Sequence, residues 1–420
     1  MLVDKDRTKR DLSMKQECMP SSLKIVPGGV TKAAGFKAGG LKAGIKVTGK
    51  KDLALLVSER PCTAAGAFTT NAIRASSVDW CSNLLPSSEI FSVICNSGCA
   101  NACTGKQGEA DTRVMAEAVA SAIGVRKEAV LVASTGVIGK FLPMEKVKST
   151  ISPLVRSLSA KNGKEFATAI MTTDLVKKES AVEASTGGKH FTVGGCCKGS
   201  GMIHPNMATM LAFITTDVSI SAAKLNKIVK RVIDMTFNNL TVDGDTSTND
   251  MVLVLANGAS GVEIRTASEL DLFQNALFTV CNDLCKKIAA DGEGATKRVE
   301  IRVAGALNEK DAKKAAKAVA NSNLTKCALF GNDPNWGRIS CAVGYSGASF
   351  SKEKMTILMC GVPVFKNLQP VPFDEKKLHK LLKKKVVDID INLGKGKAAA
   401  IAHTCDLSYD YVKINAEYHT

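Results

Sequence analysis

Apolar and polar positions along this chain alternate between two rhythms. Short runs rich in β-branched residues recur at Glu89 to Cys95, Ala129 to Ala133, Met210 to Thr215, Met251 to Leu255 and Arg298 to Val303, each closed by Gly, Asn or Ser. That pattern predicts strands ended by turns. Between them, Gly108 to Ile123, Ser221 to Phe237, Glu269 to Ala290, Glu309 to Ala320 and Asp374 to Lys385 carry apolar residues three and four apart. This spacing predicts amphipathic helices, with Ser221 and Asp374 as N-caps. The result is an α/β chain of layered sheets and helices, with no repeat of 20 to 50 residues. Lysine- and glycine-rich Gly28 to Lys51 reads as a surface loop leading into the first strand.

At 420 residues the chain exceeds what one core usually supports, so two packed units are expected. Hydrophobic residues make up 45%, charged residues 23% and aromatics 5%, the balance of a soluble protein with an aliphatic interior. No apolar stretch approaches a membrane span. Residues 1 to 25 read as a solvated tail, because Met1 to Gln16 mixes Lys and Arg with Asp4, Asp6 and Asp11 and has no apolar centre. The fourteen cysteines are dispersed through apolar segments and suggest free thiols in a reducing compartment, either the cytoplasm or, in a eukaryote, a chloroplast or mitochondrion. Neither Cys95, Cys99, Cys103 nor Cys281, Cys285 has zinc-site spacing, and no metal is expected. The net charge of +16 is diffuse, and its densest cluster, Lys376 to Lys385, lies on one helix without interleaved aromatics. Nucleic-acid binding is therefore disfavoured, whereas a basic field suits small anionic substrates.

Several polar, glycine-dense segments end strand-like runs. The most informative is Lys198 to Leu211, where a hydroxyl residue, Thr209, follows the small residue Ala208 downstream of glycines. If the Thr209 hydroxyl attacks the Ala208 carbonyl, an N-to-O acyl shift and hydrolysis free an α-amine that serves as base to its own hydroxyl. Thr135 and Gly136, after the apolar run 130 to 133, form a two-donor cradle for an oxyanion. Met171 to Asp174 offers hydroxyls and a carboxylate, and Glu293 sits between two glycines. Val242 to Asp250 looks like a calcium loop but lacks the closing Glu. None of the five histidines sits in a hydrolase triad context, and there is neither a Walker loop nor a Rossmann fingerprint.

Read together, Lys198 to Leu211, Asn96 to Gly105, Val242 to Asp250, Asp291 to Lys297, Phe330 to Arg338 and Asn415 to Thr420 resemble, in this order, the ornithine acetyltransferase family. The match runs from about Val26 to the last residue. It implies the α/β sandwich of self-cleaving N-terminal-nucleophile aminopeptidases of the DmpA kind, with a Thr nucleophile. Cleavage between Ala208 and Thr209 would give an α chain (26 to 208 after the tail) and a β chain (209 to 420) that stay together, usually as a heterotetramer. The resemblance assigns the oxyanion hole to Thr135 and Gly136, and substrate contacts to Thr172, Lys198, Thr209, Glu293, Asn415 and Thr420. Small departures are Ser200 for Ala, Cys99 for Asn, and His419 before the terminal Thr420.

The implied reaction is ping-pong acetyl transfer from N2-acetylornithine to L-glutamate through an acetyl-Thr209 ester, within arginine biosynthesis. It needs no cofactor; acetyl-CoA as a second donor is left open. The alternative on the same fold is an amidase or aminopeptidase, in which water takes the acyl group.

Overall fold

The computed structural model describes residues 22–204 and 210–417. These fall into two compact units, Ser22–Asn238 with Asp245–Asp291, and Asn239–Gly244 with Gly292–Glu417.

The first unit is built on nine strands: β1 (Leu23–Val26), β2 (Phe36–Leu41), β3 (Leu53–Phe68), β4 (Ser87–Cys99), β5 (Val130–Val137), β6 (Lys178–Thr186), β7 (Lys189–Lys198), β8 (Leu211–Thr216) and β9 (Met251–Ala256). Their order is β1-β6-β7-β8-β9-β3-β4-β5, with β2 added on β3. All pairs are antiparallel except β4 with β5 and β8 with β9. A parallel pair needs a crossover. The helix Gly105–Ile123 provides it for β4 and β5, and the helix Ala222–Met235 for β8 and β9. Both helices were legible as amphipathic periods.

The sixteen-residue β3 explains how this sheet closes over a core. Its register is irregular between Val57 and Cys62. Up to Ser58 it pairs with β2 and from Thr63 to Phe68 with β9, while β4 stays paired on both sides of the break, Cys62 with Ile90 and Ala64 with Ser87. One buried cluster takes Leu56, Cys95, Leu131 and Ala133 from the first half, and Cys196, Phe213, Leu253 and Leu255 from the second. Side chains from both halves of the sheet therefore share one core. Successive residues point to opposite faces. Leu53, Leu55, Ile94, Val130 and Val132 accordingly belong to another cluster, with Met115 and Val119 of the helix Gly105–Ile123. Two covered faces explain why these strands read as unbroken apolar runs. Burying each such leucine contributes roughly 1.5–3 kcal/mol.

Gly28 to Lys51 departs from the expected loop. Phe36–Leu41 is a strand, and Val30, Ala33, Phe36 and Ala38 are buried. The glycines that suggested a loop instead permit close packing: a Cβ on Gly40 would lie 2.2 Å from the Glu165 carbonyl oxygen.

The second unit carries β10 (Arg298–Ala306), β11 (Thr356–Met359), β12 (Val362–Lys366), β13 (Gln369–Pro370), β14 (Val386–Asn392) and β15 (Ala398–Cys405), ordered β13-β12-β11-β14-β10-β15. Here the alternation is two-sided. Val299, Ile301, Val303, Val387 and Ile389 pack against the helices Glu309–Asn321, Trp336–Tyr345 and Glu375–Leu382. Between those positions stand Glu300, Arg302 and Asp390, with Arg302 holding Asp390 through two hydrogen bonds, the shorter 2.5 Å. Asp374 caps its helix as expected by accepting from the Lys377 amide at 3.0 Å. Ser221 holds the N-cap position without a side-chain bond.

Among the described residues, no helix is long and apolar enough to cross a membrane, and no group of His, Cys, Asp and Glu forms a metal-ion cluster. The described cysteines are all free. Cys95, Cys99, Cys281 and Cys285 are buried, whereas Cys103 is exposed.

Candidate active site

Thr135 and Gly136 lie near the end of β5, where its partner β4 carries Ser97 and Gly98 in register. Gly136 has φ +130°, and a Cβ there would lie 2.4 Å from the Gly98 carbonyl carbon and 2.5 Å from the Cys99 nitrogen. Backbone meets backbone, so neither partner can yield. On the expectation from the motifs that the Gly136 amide is an oxyanion donor, Gly136→Ala, which displaces that amide, should lower turnover by at least about 100-fold; steady-state kinetics on the purified variant checks it.

The motif Asn96 to Gly105 is a scaffold for these strand ends. Asn96 Nδ2 donates to the Cys99 carbonyl at 2.8 Å, and Asn101 Nδ2 to Gly108 O at 2.9 Å and Thr112 Oγ1 at 3.0 Å. Asn249 Nδ2 joins the two strand ends, donating to Ala100 O at 2.6 Å and Ser134 O at 2.8 Å. Cys99, where Asn is usual in the resembling family, directs its thiol at the Lys140 carbonyl, 3.2 Å away.

Lys198 ends β7 opposite Leu211, the first residue of β8, and is 7% exposed. Its ammonium donates to Thr135 Oγ1 at 3.0 Å. Two residues predicted separately thus act on one another. With Lys198 occupying a lone pair, the Thr135 hydroxyl proton is left free to donate elsewhere.

Thr172 is held through its backbone, its amide donating to Asp174 Oδ2 at 3.0 Å. The other oxygen, Asp174 Oδ1, accepts from the Gly199 amide at 2.8 Å and from Lys178 Nζ at 2.6 Å. Lys178 is fully buried at the start of β6 and also reaches Asp291 Oδ2 at 2.5 Å. Burial alone would push Asp174 up, but Lys178, Lys198 and the Gly199 amide outweigh it and hold the carboxyl below its usual range. Lys178 is likewise held above the usual lysine value, the two carboxylates overcoming burial. Asp291 further accepts from the Leu175 and Val176 amides at 3.1 and 3.4 Å, while its carbonyl accepts from Ser200 Oγ at 2.6 Å. One buried ion triad therefore ties the Thr172 loop to the segment Lys198 to Ser200.

Nothing in the sequence singled out Lys178, Asp250 or Lys46. Burial pushes Lys46 down to about 8 despite Asp52. The Asp52 carboxylate gathers that loop by accepting the amides of Ala43, Gly44, Ile45 and Lys46 at 2.6 to 3.1 Å. Burial raises Asp250 well above the ordinary carboxyl range, although Lys198 pulls it back.

In the second unit Glu293 and Asn415 meet directly, with Asn415 Nδ2 donating to Glu293 Oε2 at 2.9 Å. Gly294, at φ +69°, makes this possible, because a Cβ there would lie 2.4 Å from the Tyr411 nitrogen of the helix Tyr409–Glu417. Glu293 is 8% exposed, so its carboxylate is largely shielded from water. Ala208, Thr209 and Thr420 lie outside the described residues.

A sequence model of the ArgJ family matches residues 37–420. The chain belongs to the ArgJ family. Among similar family members is the arginine biosynthesis bifunctional protein ArgJ of Symbiobacterium thermophilum, 49% identical over 397 residues, spanning 94% of this chain and 99% of that one. The chloroplastic ArgJ of Oryza sativa subsp. indica is 47% identical over 409 residues, spanning 94% and 88%. A crystal structure of the ornithine acetyltransferase of Mycobacterium tuberculosis, complexed with ornithine, is 42% identical over 44% of this chain and 98% of that chain, with a TM-score of 0.42. ArgJ membership agrees with the resemblance carried by the motifs, and the Lys198–Thr135 pair is where the motifs and the geometry coincide.

Proposed function

We propose that this chain is a glutamate N-acetyltransferase of arginine biosynthesis, moving acetyl from N2-acetylornithine to L-glutamate. Family membership supports the reaction. The observation that carries the site is Lys198 donating to Thr135 at the end of β5, on the strand that leads through Gly199 toward Thr209.

In this reading the chain first cuts itself between Ala208 and Thr209. The Thr209 hydroxyl then attacks the acetyl carbonyl, passing its proton to the Thr209 α-amine, while Thr135 and Gly136 stabilise the oxyanion. The carbon–nitrogen bond breaks, the amine returns the proton to the departing ornithine nitrogen, and an acetyl ester remains. Glutamate's amine attacks that ester, losing a proton to the same base, and N-acetylglutamate leaves with Thr209 restored. Lys198 is suited to a substrate carboxylate, and the shielded Glu293, oriented by Asn415, to the ornithine side-chain ammonium. Thr172 and Thr420 complete the substrate contacts. No metal or organic cofactor enters the cycle.

The two halves of the cut chain stay together as a heterotetramer, and the protein works in a reducing compartment, cytoplasmic or organellar. The chloroplastic name of the rice relative supports the organellar option for a eukaryotic source. The word bifunctional in the relatives' names supports acetyl-CoA as a second donor.

Product analysis tests the transfer. With N2-acetylornithine and glutamate, N-acetylglutamate should form in step with ornithine; without glutamate, ornithine release should stop after about one equivalent per Thr209. Continued release of ornithine and free acetate without glutamate would instead assign an amidase. Replacing acetylornithine with acetyl-CoA in the same assay decides the second donor.

A further inference from the structure

The motif Phe330 to Arg338 has no part in the transfer just described, yet it is joined to the segment that carries Glu293. The link is Lys297, the residue before β10, which is 6% exposed. Its ammonium donates to Leu329 O at 2.9 Å, to Asn332 Oδ1 at 2.6 Å and to Leu382 O at 3.0 Å. An ammonium has three donors, so all of them are used. Leu329 lies in the last turn of the helix Asn323–Phe330, and Leu382 ends the helix Glu375–Leu382. A cation at that point meets the negative ends of both helix dipoles. Asn332 is itself fixed: its φ of +56° lies in the left-handed region that Asn tolerates better than most residues, and its carbonyl is 2.9 Å from His379 Nδ1.

The same segment is held from its other side by the residues that lead into the helix Tyr409–Glu417. Asp406 Oδ1 accepts the amides of Thr296 at 2.8 Å and Lys297 at 3.0 Å, and Asp406 Oδ2 accepts from the Thr296 hydroxyl. Ser408 Oγ donates to the Gly294 carbonyl at 2.6 Å. Tyr409 opens the helix that bears Asn415 and meets Phe330 edge to face, with ring centroids 5.6 Å apart. The Phe330 to Arg338 motif therefore reaches Asn415 through Phe330 and Tyr409, and Glu293 through Asn332 and Lys297.

Resting on the reading of Glu293 as the contact for the ornithine side-chain ammonium, we propose that Lys297 is the positioning residue that makes the acetyl-donor site selective for a cationic side chain. It touches no substrate and takes part in no bond change. By pinning residues 292–297 to the motif, it holds the Glu293 carboxylate where Asn415 Nδ2 meets it at 2.9 Å. A carboxylate kept in one geometry and largely out of water rewards a matching ammonium and penalises a donor that lacks one. Freed from Lys297, the segment would let Glu293 turn away, and the reward would fade while the acetyl chemistry continued.

Two acetyl donors read this role: N2-acetylornithine, and N2-acetylnorvaline, which has the same backbone and acetyl group but no side-chain ammonium. Wild type should prefer the first by at least about 100-fold in kcat/KM. Lys297→Met keeps a side chain of similar length without its donors. It should raise the KM for N2-acetylornithine at least about tenfold with kcat changed less than about threefold, and leave kcat/KM for N2-acetylnorvaline within about threefold of wild type. Asn332→Gly keeps the positive φ and removes one of the three acceptors, so it should lower the preference in the same direction by at least about threefold.

An unchanged preference in Lys297→Met would overturn the proposal, as would an equal loss on both donors, which is the mark of a merely structural role. Should Lys297→Met not fold, Asn332→Gly decides on the same two criteria. Glu293→Gln tests the reading beneath. If it keeps the wild-type preference, Glu293 is not the ammonium contact, and both the reading and this proposal fall. A Glu293→Gln variant that loses the preference beside a Lys297→Met variant that keeps it confines the failure to Lys297.

Discussion

Thr209→Ala will remain one uncut chain and lose acetyl transfer by at least about 10⁴-fold if, as proposed, the substitution removes the nucleophile and prevents release of its base. Intact-mass measurement under denaturing conditions reads the first effect, with wild type giving two fragments that meet at Ala208/Thr209. Steady-state assay with acetylornithine and glutamate reads the second. Thr209→Ser separates the two roles: it keeps an oxygen nucleophile and should cut and turn over, more slowly. Full transfer activity in uncut Thr209→Ala would place the nucleophile elsewhere.

Lys178→Met will be the most destabilising change in the first unit outside its apolar core. It strips the counter-ion from two carboxylates, Asp174 and Asp291, that share one fully buried ammonium at 2.6 and 2.5 Å. Leaving such charges uncompensated costs about 3–5 kcal/mol. Equilibrium denaturation should show this loss, and Lys178→Met with Asp174→Asn should recover part of it, as coupled neighbours do. A loss under about 1 kcal/mol would mean the triad is not the clamp described. Because the folded carboxyl of Asp174 is depressed, its contribution is present above the ordinary carboxyl value near 4 and lost as pH falls through the folded value. Because Lys178 is raised, its contribution is complete below the ordinary lysine value near 10.4 and lost as pH rises through the folded value. The triad's stabilisation therefore spans the whole range between them, and wild-type stability should flatten across that range relative to acid and alkali.

What the sequence made readable follows from periodicity. The helix Ala267–Ala290 and strands β5, β8 and β9 stood out because their apolar positions repeat. The long strand β3 did not, since its Glu59-Arg60-Pro61 centre reads as a break. In the structure that centre is a register irregularity between the pairings with β2 and with β9, so the polar interruption lies within one strand. Phe36–Leu41 was hidden by glycines that serve packing. Lys198, Glu293 and Asn415 stood out because they sit in long motifs, whereas Thr135 and Gly136 showed only as a Thr-Gly pair closing an apolar run. Lys178 did not stand out: one buried lysine looks like any other of the 56 basic residues in a chain where most face solvent. Asp250 was obscured by a motif whose resemblance to a calcium loop drew attention to its acidic side chains collectively, whereas in the structure it is buried.

The contact between Gly136 and Gly98 also sets what can be remodelled. Because β4 and β5 meet backbone to backbone with no room for a Cβ at Gly136, no side chain can be introduced there without moving one of the two strands. Engineering of this enzyme should therefore leave those strand ends alone. Libraries that randomise Gly98 and Gly136 would return mostly misfolded clones, because both sit where the two backbones touch.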